Sequence, residues 1–464
     1  VDVDLSLAGL AAPRRSDGAI YAAEDITADA AMFTAHEDSD LADWPYPKRP
    51  LAPLTEVVHD RLSVEVFRGC TRGCRFCQAG MITRPVRERP AEQVRTMVAD
   101  GLRRTGYDEV SLTSLSTADF SDIEPVLLGI FDDNQRQGSG CDGLTVNLPS
   151  LRVDAFTVGL AGKVSNRANS GRRSGLTFAP EGGSWRLRKV INKLITEDDL
   201  YGAVESAFSQ GWTRMKLYFL TGLPTETDED TLGIAELAAK CVAIGRRYTN
   251  RASVTISLGG FVPKPHTPFQ WFGQVEEAEL RRRIYLLRDA CKPLKGVQLK
   301  WHDPAASTAE GIASRGDRRI GAVIERVWRA GGTFQEWGEH FSLDLWREAM
   351  EAEGLSLDWF VHRHRPEHEV LPWDHLRAGL HKDFLWNDWQ DALAESGVED
   401  CRWTPCYDCG VCTGYGIEHV VASPTPPAGG SQGTGQDLSR GGELPDFVPV
   451  ALLPRKPEPV GGGA

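Results

Sequence analysis

The chain has 464 residues, of which 41% are hydrophobic and 25% charged, the balance of a soluble globular protein. Its formal net charge of −13 disfavours broad, non-specific binding to nucleic acid. No apolar run reaches the roughly 18–20 residues of a membrane span, and no basic-then-apolar secretory signal begins the chain. Seven of its ten cysteines fall in two tight groups, which indicates metal binding in a reducing cytoplasm rather than a disulfide scaffold.

Residues 1–55 are predicted to form an acidic, alanine-rich segment and linker with little periodicity. The linker ends in the proline-rich stretch Pro45–Pro53, which is typical of extended chain. The first residue is Val1 rather than methionine, so we expect the chain to be a piece of a longer protein.

Strand-like and helix-like segments alternate from about residue 60 to residue 300. The predicted strands are Leu62–Phe67, Asp108–Thr113, Leu144–Leu148, Ser174–Ala179, Arg214–Leu220 and Ser253–Leu258, with Gly296–Trp301 as a further candidate. The predicted helices between them are Pro90–Arg104, Ile123–Gln135, Thr196–Gln210, Glu226–Arg247 and Val275–Asp289. This alternation predicts an α/β fold with a parallel sheet, in which reactive groups lie on loops after the carboxyl ends of the strands.

The remainder of the chain divides into two parts. Residues 301–420 are predicted to form a mostly helical, tryptophan-rich C-terminal region, with amphipathic patterns over Ile320–Ala330 and Leu343–Met350. Residues 421–464 are rich in proline and glycine, which is typical of a disordered tail or of a linker to a fused or partner domain.

The most informative stretch is Cys70-Thr-Arg-Gly-Cys74-Arg-Phe-Cys77, directly after the first predicted strand. Three cysteines in one compact loop suit an iron–sulfur cluster. Three thiolates leave one iron of a [4Fe–4S] cube without a protein ligand, so that a small molecule can chelate it. A zinc knuckle is the alternative, but zinc needs a fourth ligand and no usual one lies near this loop.

The C-x3-C-x2-C loop, with Phe76 before the third cysteine, resembles that of the radical S-adenosylmethionine (SAM) enzymes. The resemblance implies a partial (βα)6 TIM-like barrel over residues 56–300, with the open iron binding SAM. It further implies reductive cleavage of SAM to a 5′-deoxyadenosyl radical, with electrons from a reductant such as flavodoxin or ferredoxin. Phe76 is then expected beside the cofactors.

The wider stretch from His59 to Arg89 resembles one subgroup of this superfamily, whose members usually carry a cobalamin-binding domain ahead of the radical SAM core. No Asp-x-His-x-x-Gly pattern, the usual signature of cobalamin ligation, occurs in this chain. We therefore expect cobalamin, where it is used, to come from a domain outside it. The subgroup implies methylation, and motifs similar to those of methylthiotransferases imply methylthiolation, of an RNA or a protein.

The resemblance also implies SAM contacts in three stretches at predicted strand ends. The first stretch lacks the Gly-Gly-Glu with which these enzymes often hold the amino group of SAM, so hydroxyls and backbone groups would serve there. An acid of the second stretch would hold the ribose, and a base of the second the carboxylate. A glycine of the third would admit the adenine closely, and its acid would begin the next helix. The candidates are Ser114, Ser116, Thr117, Glu181, Gly182, Arg188, Lys193, Gly222 and Glu226. For each of them, ordinary turn or capping chemistry is the alternative.

A second cysteine group stands near the end of the helical region. Its members are Cys401, Cys406, Cys409 and Cys412. Their spacing fits structural zinc or a second iron–sulfur cluster, and the Cys-x2-Cys-x2-Cys run favours the cluster slightly.

A different class of function stays open at this point. The chain could be a non-catalytic iron–sulfur or zinc protein that acts as a scaffold or an electron carrier. That hypothesis predicts a metal site without turnover of SAM.

Overall fold

A computed structural model describes most of the chain between residue 41 and residue 415. The described residues are 33–34, 41–48, 50–136, 144–147, 176–402 and 406–415. The predicted tail over residues 421–464 lies outside them, and the predicted boundaries between domains stay predictions.

Two parallel sheets form the centre of the molecule. Their strands are β2 (Leu62–Glu65), β5 (Glu109–Thr113), β6 (Thr145–Asn147), β7 (Leu176–Glu181), β8 (Arg214–Thr221), β9 (Ser253–Gly260) and β10 (Val297–Trp301). One sheet has the order β2-β5-β6 and the other β7-β8-β9-β10, with every neighbouring pair parallel. The predicted strands are confirmed over the described residues, outside which Leu148, Ser174 and Gly175 lie, and the candidate at Gly296–Trp301 forms β10.

Two short pairs complete the strands of the described residues. β3 (Phe67–Arg68) and β4 (Arg87–Glu88) pair in antiparallel fashion on either side of the cysteine loop, whereas β1 (Phe33–Thr34) and β11 (Leu376–Arg377) pair in parallel. The pairing of β3 with β4 closes the base of the loop that carries the cysteines.

Within each of the two parallel sheets, helices connect consecutive strands, the arrangement of βα units. Those of the α/β core are Gln78–Ile82, Ala91–Thr105, Ile123–Arg136, Trp185–Val190, Glu197–Ser209, Asp228–Gly245 and Glu277–Cys291. Two of them begin with complete capping boxes, Thr196 with Asp199 and Thr227 with Asp230. The predicted helix starts are confirmed to within two residues because these caps are local in sequence.

The C-terminal region is mainly helical, as predicted. Its helices are Pro304–Arg315, Ile320–Arg329, Leu343–Ala352, Lys382–Leu393 and Val411–Tyr415, with a π-helical turn at Asp358–His362. Helix Ile320–Arg329 buries Ile320, Val323 and Val327, so the amphipathic pattern faces a core as expected.

Each parallel sheet packs against its helices in a core of its own, and a third core joins the two regions of the chain. In that third core, Phe269 and Trp271 of the loop after β9 pack against Trp386 and Trp389 of helix Lys382–Leu393. Helix Lys382–Leu393 therefore lies at the same end of the α/β core as the cysteine loop.

Candidate functional site

The cysteine loop leaves the end of β3 and turns back sharply into a short helix. Gly69 has φ +94°, and a Cβ there would lie 2.3 Å from the backbone oxygen of Pro85, so only glycine fits. Gly73 has φ +69° within the loop. Cys77 caps helix Gln78–Ile82, because its sulfur accepts from the backbone N–H of Gly80 at 3.3 Å. The loop thus presents its thiols at the start of that helix.

The three thiols are close neighbours. A Cβ at Gly80 would lie 3.4 Å from Sγ of Cys77 and 3.7 Å from Cβ of Cys70, so glycine keeps this space open. Burial, followed by the charges of Cys74 and Cys70, raises the pKa of Cys77 to about 11, while Lys193 acts to lower it. Three mutually close cysteines are a donor set that suits an iron–sulfur cluster, whose iron would bind them as thiolates.

Arg75 anchors the middle of the loop. Its side chain is fully buried, and Nε donates to Oδ1 of Asp388 at 2.9 Å. Nη1 donates to the backbone oxygens of Lys189 at 3.1 Å and Val190 at 3.0 Å. One loop side chain therefore connects helix Trp185–Val190 and helix Lys382–Leu393 to the cysteines.

A second set of contacts holds the loop from the C-terminal side. Nδ2 of Asn192 donates to the backbone oxygens of Arg72 and Gly73, and its Oδ1 accepts from the N–H of Val398 at 2.9 Å. Arg72 itself forms ion pairs with Asp119 at 2.5 Å and Asp400 at 3.1 Å. The chain around residues 398–400 is therefore part of the support of the site.

Lys193 and Glu181 stand beside the thiols. Lys193 is an electrostatic neighbour of Cys77, and its Nζ lies 4.0 Å from Oε1 of Glu181. Glu181 ends β7 with φ +68°, a left-handed conformation that costs energy for any residue other than glycine. Of the acids and bases predicted to contact SAM, this pair is the one that the fold brings next to the cysteine loop.

The Arg188 side chain is buried in the protein interior, next to Gly182. Arg188 is 1% exposed, donates through Nη1 to the oxygen of Gly182 at 3.1 Å and pairs with Glu197. A Cβ at Gly182 would lie 3.3 Å from Cγ of Arg188. These contacts give Arg188 a structural role, which leaves Lys193 as the better placed base for a carboxylate.

Glu226 and Gly222 form a self-contained turn after β8. The carboxylate of Glu226 accepts from the N–H groups of Gly222 at 2.5 Å and Leu223 at 3.1 Å, and it pairs with Arg283 at 2.7 Å. Gly222 has φ +86°, and a Cβ there would lie 2.7 Å from Cδ2 of Leu280. The structure thus uses both residues to build the turn, which was the alternative to a contact with SAM.

The other residues predicted to contact the cofactors form local hydrogen bonds or are buried. Oγ of Ser114 lies 3.1 Å from Oγ1 of Thr117, which in turn donates to the oxygen of Leu112. Ser116 is buried, and its hydroxyl has no hydrogen-bonding partner among the residues that the structure describes. Phe76 is partly buried and packs against the third core, so its ring contributes to packing.

Two cysteines of the second group lie near Arg84, which follows the first cysteine loop. Burial acts to lower the pKa of Arg84, but Tyr407, Cys409 and Cys401 act in the opposite direction and leave it above its ordinary value. Burial also raises the pKa of Cys401 to about 12. A Cβ at Gly73 would lie 3.7 Å from Nη2 of Arg84 and 3.9 Å from the hydroxyl of Tyr407. The two cysteine segments therefore meet at Gly73.

No group of three or more His, Cys, Asp or Glu side chains in the described ranges is arranged to hold a metal ion. In a cubane cluster each thiolate binds a different iron, so the ligands stand farther apart than those of one ion. The Cys70–Cys77 donor set fits the cluster by its chemistry and proximity.

A cavity of about 370 Å³ lies between helix Lys382–Leu393 and the second cysteine segment. Its walls include four aspartates and one histidine. They are Asp383, Asp388, Asp391, Asp408 and His381. This acidic lining favours a basic or neutral ligand over a phosphate backbone.

None of the helices in the described part of the chain combines the length and apolar character needed to cross a lipid bilayer.

Sequence reasoning missed Arg75, Asn192 and Asp388. Arg75 and Asp388 are separated by 313 residues, and Asn192 joins loop residues to Val398. No local spacing reports such pairs. The one available signal was the position of Arg75 between two cysteines, where a charged side chain needs a partner once the loop is buried.

Comparisons with known proteins agree with the resemblance of the cysteine loop to that of radical SAM enzymes. Residues 64–238 match the family model of the radical SAM superfamily. An uncharacterised protein of Methanocaldococcus jannaschii is 31% identical over 264 residues, 56% of this chain and 53% of that protein. The chain thus spans about half the length of this relative.

Two solved structures also align with the chain. The radical SAM methyltransferase TsrM from Kitasatospora setae, with cobalamin and a [4Fe–4S] cluster bound, is 14% identical with a TM-score of 0.40. It covers 63% of this chain and 61% of its own. The cobalamin-dependent SAM radical enzyme OxsB is 12% identical with a TM-score of 0.37, over 63% of this chain and 46% of its own. The stretch over residues 64–238 that matches the radical SAM family model contains the Cys70–Cys77 loop, so the part of the chain that resembles this superfamily is the part that carries the candidate site.

Proposed function

We propose that Cys70, Cys74 and Cys77 ligate a [4Fe–4S] cluster and that the chain binds SAM on its open iron for reductive cleavage. The observation that carries this proposal is the proximity of the three thiols to the Lys193–Glu181 pair, in which Glu181 ends the parallel strand β7. When bound, the cluster supplies one electron to SAM. The protein supplies the ligands, the orientation of SAM and the exclusion of water.

In this proposal Lys193 holds the carboxylate of SAM and Glu181 accepts from its ribose hydroxyls. Lys193 is 8% exposed and Glu181 is half-buried, so both would act in a partly desolvated site where charge-assisted hydrogen bonds are strong. The strained backbone of Glu181 supports a role in binding, since such strain concentrates at functional sites.

The proposed reaction is methylation or methylthiolation at an unreactive carbon. Methylation rests on the resemblance of the stretch around the cysteines to the cobalamin-associated subgroup, with cobalamin supplied from outside this chain. Methylthiolation rests on the stretches around Glu181 and Gly222. A cytoplasmic flavodoxin or ferredoxin is the proposed reductant.

Between RNA and protein as substrates, the charges favour a protein. The chain has a net charge of −13, and the cavity next to the second cysteine segment is lined by aspartates. Both repel phosphates and attract basic side chains. Methyl or methylthio transfer to RNA fragments, with none to proteins, would contradict this choice.

The test is formation of 5′-deoxyadenosine. The protein is purified without oxygen, reconstituted with iron and sulfide, reduced and mixed with SAM. We expect product from the wild type and from Cys291→Ala, which removes a cysteine outside the loop, and none from Cys74→Ala. A bound cluster that yields no product would favour the scaffold or electron-carrier hypothesis instead.

Lys193→Met tests the proposed contact with SAM. Loss of one charge-assisted hydrogen bond is worth about 1.5–3 kcal/mol, so we expect SAM to bind about 10- to 150-fold more weakly. Lys189→Met, four residues earlier, is the matched control. Equal SAM affinities of both variants, measured by equilibrium dialysis on the reconstituted protein, would remove Lys193 from the site.

A further inference from the structure

Arg84 connects the two cysteine segments. It follows the first cysteine loop, and its Nε donates to the backbone oxygen of Gly80 at 3.3 Å. Its guanidinium lies 5.9 Å from the ring centroid of Phe384 and 5.8 Å from that of Tyr407. These two rings are stacked with an interplanar angle of 7°. The guanidinium is therefore held at a defined place beside the second segment.

The charge of Arg84 lacks a counter-charge among the described residues. The residue is 5% exposed, and neither Nη atom donates to an oxygen or nitrogen in the described part of the chain, while the thiol of Cys409 lies within its reach. Asp388 lies within electrostatic reach, but it is already paired with Arg75. A buried guanidinium without a counter-charge is costly. Its position thus indicates that an anionic group belongs next to it.

The groups beside the guanidinium are the ones that a metal would make anionic. Cys401, Cys409 and Tyr407 are its electrostatic neighbours. Cysteine binds metals as the thiolate, so occupancy of the second segment would place negative charge beside Arg84. The buried arginine and the four-cysteine spacing are independent observations, and both indicate a metal centre.

We propose that Cys401, Cys406, Cys409 and Cys412 bind a second iron–sulfur cluster, with Arg84 as its buried counter-cation. The Cys-x2-Cys-x2-Cys run from Cys406 to Cys412 is typical of iron–sulfur proteins. The backbone supports a ligand loop there. Gly410 has φ +98°, the N–H of Asp408 donates to Sγ of Cys406 at 3.4 Å, and the oxygen of Cys409 accepts from His381 at 2.9 Å.

The second cluster would lie next to the first. Arg84 contacts Gly80 beside Cys77 on one side and Tyr407 of the second segment on the other. The hydroxyl of Tyr407 lies 3.9 Å from the position of a Cβ on Gly73, inside the first loop. Cys406 is exposed, so the second cluster would be the one nearer to solvent.

The test measures metal in protein that lacks the first cluster. In Cys70→Ala/Cys74→Ala/Cys77→Ala, reconstituted without oxygen, we expect about two to four irons per chain with matching sulfide, and an EPR signal on reduction. Adding Cys409→Ala is expected to abolish both. Because the first ligands are absent, the result is independent of SAM cleavage. A triple variant that is folded by circular dichroism but free of iron, or that holds zinc instead, would overturn the proposal.

A reciprocal variant tests the same proposal in case the triple variant misfolds. Cys406→Ala/Cys412→Ala removes two ligands of which one is exposed, and it keeps the first loop intact. We expect its iron content to fall by the amount that the triple variant retains. Iron equal to that of the wild type would also overturn the proposal.

Substitutions of Arg84 test the counter-cation in the triple variant background. Reduction adds a negative charge to the cluster, so removal of the nearby cation in Arg84→Gln should make the midpoint potential more negative, while Arg84→Lys should preserve most of it. Arg87→Gln is the control, since that guanidinium donates to the oxygens of Pro85 and Thr83 instead. Unchanged potential and iron content in Arg84→Gln would remove Arg84 from the second centre.

Discussion

Arg75 shows how single side chains hold the cysteine loop in place. It lies between Cys74 and Phe76, and its partner Asp388 is 313 residues further along the chain. Both side chains are buried, with exposures of 0% and 5%. Removing one member of such a pair strongly lowers the free energy of unfolding, because the other charge stays buried without a partner.

Arg75→Met is expected to lower the free energy of unfolding by about 3–5 kcal/mol. The double variant Arg75→Met/Asp388→Leu should recover part of this loss, since no buried charge remains. Arg329→Met, which breaks the exposed pair with Glu325, is the control and should cost less than about 1 kcal/mol. Denaturant unfolding of the metal-free protein measures all three. A single variant as stable as the control would contradict a buried anchor.

Among single residues, the sequence predicted those whose pattern is local and missed those whose partners lie far away in the chain. The spacing of Cys70, Cys74 and Cys77 is local, so the motif was visible directly. The contacts of Arg75, Asn192 and Arg84 depend on side chains far away in the chain, and no local pattern encodes them. Glu226 was predicted to contact SAM, but its carboxylate is occupied by its own turn and Arg283, a network visible only after folding.

At the scale of elements, the turn after β8 depends on glycine for two reasons. Gly222 has φ +86°, and a Cβ would meet Leu280 of helix Glu277–Cys291 at 2.7 Å. We expect Gly222→Ala to destabilise the protein by about 1–3 kcal/mol. Gly202→Ala is the matched control. It lies inside helix Glu197–Ser209 with no atom within 4 Å of the new Cβ, so it should stabilise by about 0.5–1 kcal/mol. Thermal unfolding measures both, and a neutral Gly222→Ala would contradict the packing argument.

Asp230 couples two helix starts. It accepts from Thr227 at 2.8 Å in the capping box of helix Asp228–Gly245, and it also accepts from Ser184 and Arg186 at the start of the preceding helix pair. Burial acts to raise the pKa of Asp230, but these donors outweigh it and leave the pKa below its ordinary value.

A lowered pKa in the folded state gives Asp230 a defined effect on stability. Its contribution is complete above the ordinary pKa of about 4 and is lost as the pH falls through the lower folded pKa. We therefore expect the metal-free wild type to lose stability on acidification below about pH 4 more steeply than Asp230→Asn. Parallel pH profiles of the two proteins would show that the carboxylate is not stabilised by folding.

The elements themselves were predictable because their signals are local. Alternating apolar residues marked the strands, and Thr196 with its following acids marked a helix start. The helix predicted from Glu226 begins two residues later, after the cap Thr227. The ends of elements moved by a residue or two, since helix ends depend on tertiary packing as well as on the caps.

At the scale of the whole molecule, the C-terminal helices form part of the site. Trp389 packs edge-on against Phe269 at 5.6 Å between ring centroids and lies 6.0 Å from Phe272, in the core that contains the helix after the cysteine loop. Sequence periodicity predicted a packed helical extension but not which face of the barrel it covers, because that choice depends on long-range contacts.

Trp389→Ala is expected to lower the free energy of unfolding by about 3–5 kcal/mol, since a buried aromatic ring is lost. Because Trp389 follows Asp388, the partner of Arg75, and shares a core with Phe76 of the loop, the variant should also release iron from the Cys70–Cys77 loop faster under a chelator. Trp328→Ala, at a 63% exposed position, is the control and should change neither quantity measurably. Equal iron release from both variants would show that the C-terminal region does not support the loop.

The central claim is that SAM binds the open iron of a cluster held by Cys70, Cys74 and Cys77. The most direct measurement is electron–nuclear double resonance of the reduced cluster with SAM labelled at its amino nitrogen and carboxylate carbon, in Cys406→Ala/Cys412→Ala so that one cluster is observed. We expect both labels to couple to the cluster, and Lys193→Met to require more SAM for the same signal. A reduced cluster whose spectrum is unchanged by saturating SAM would contradict the account.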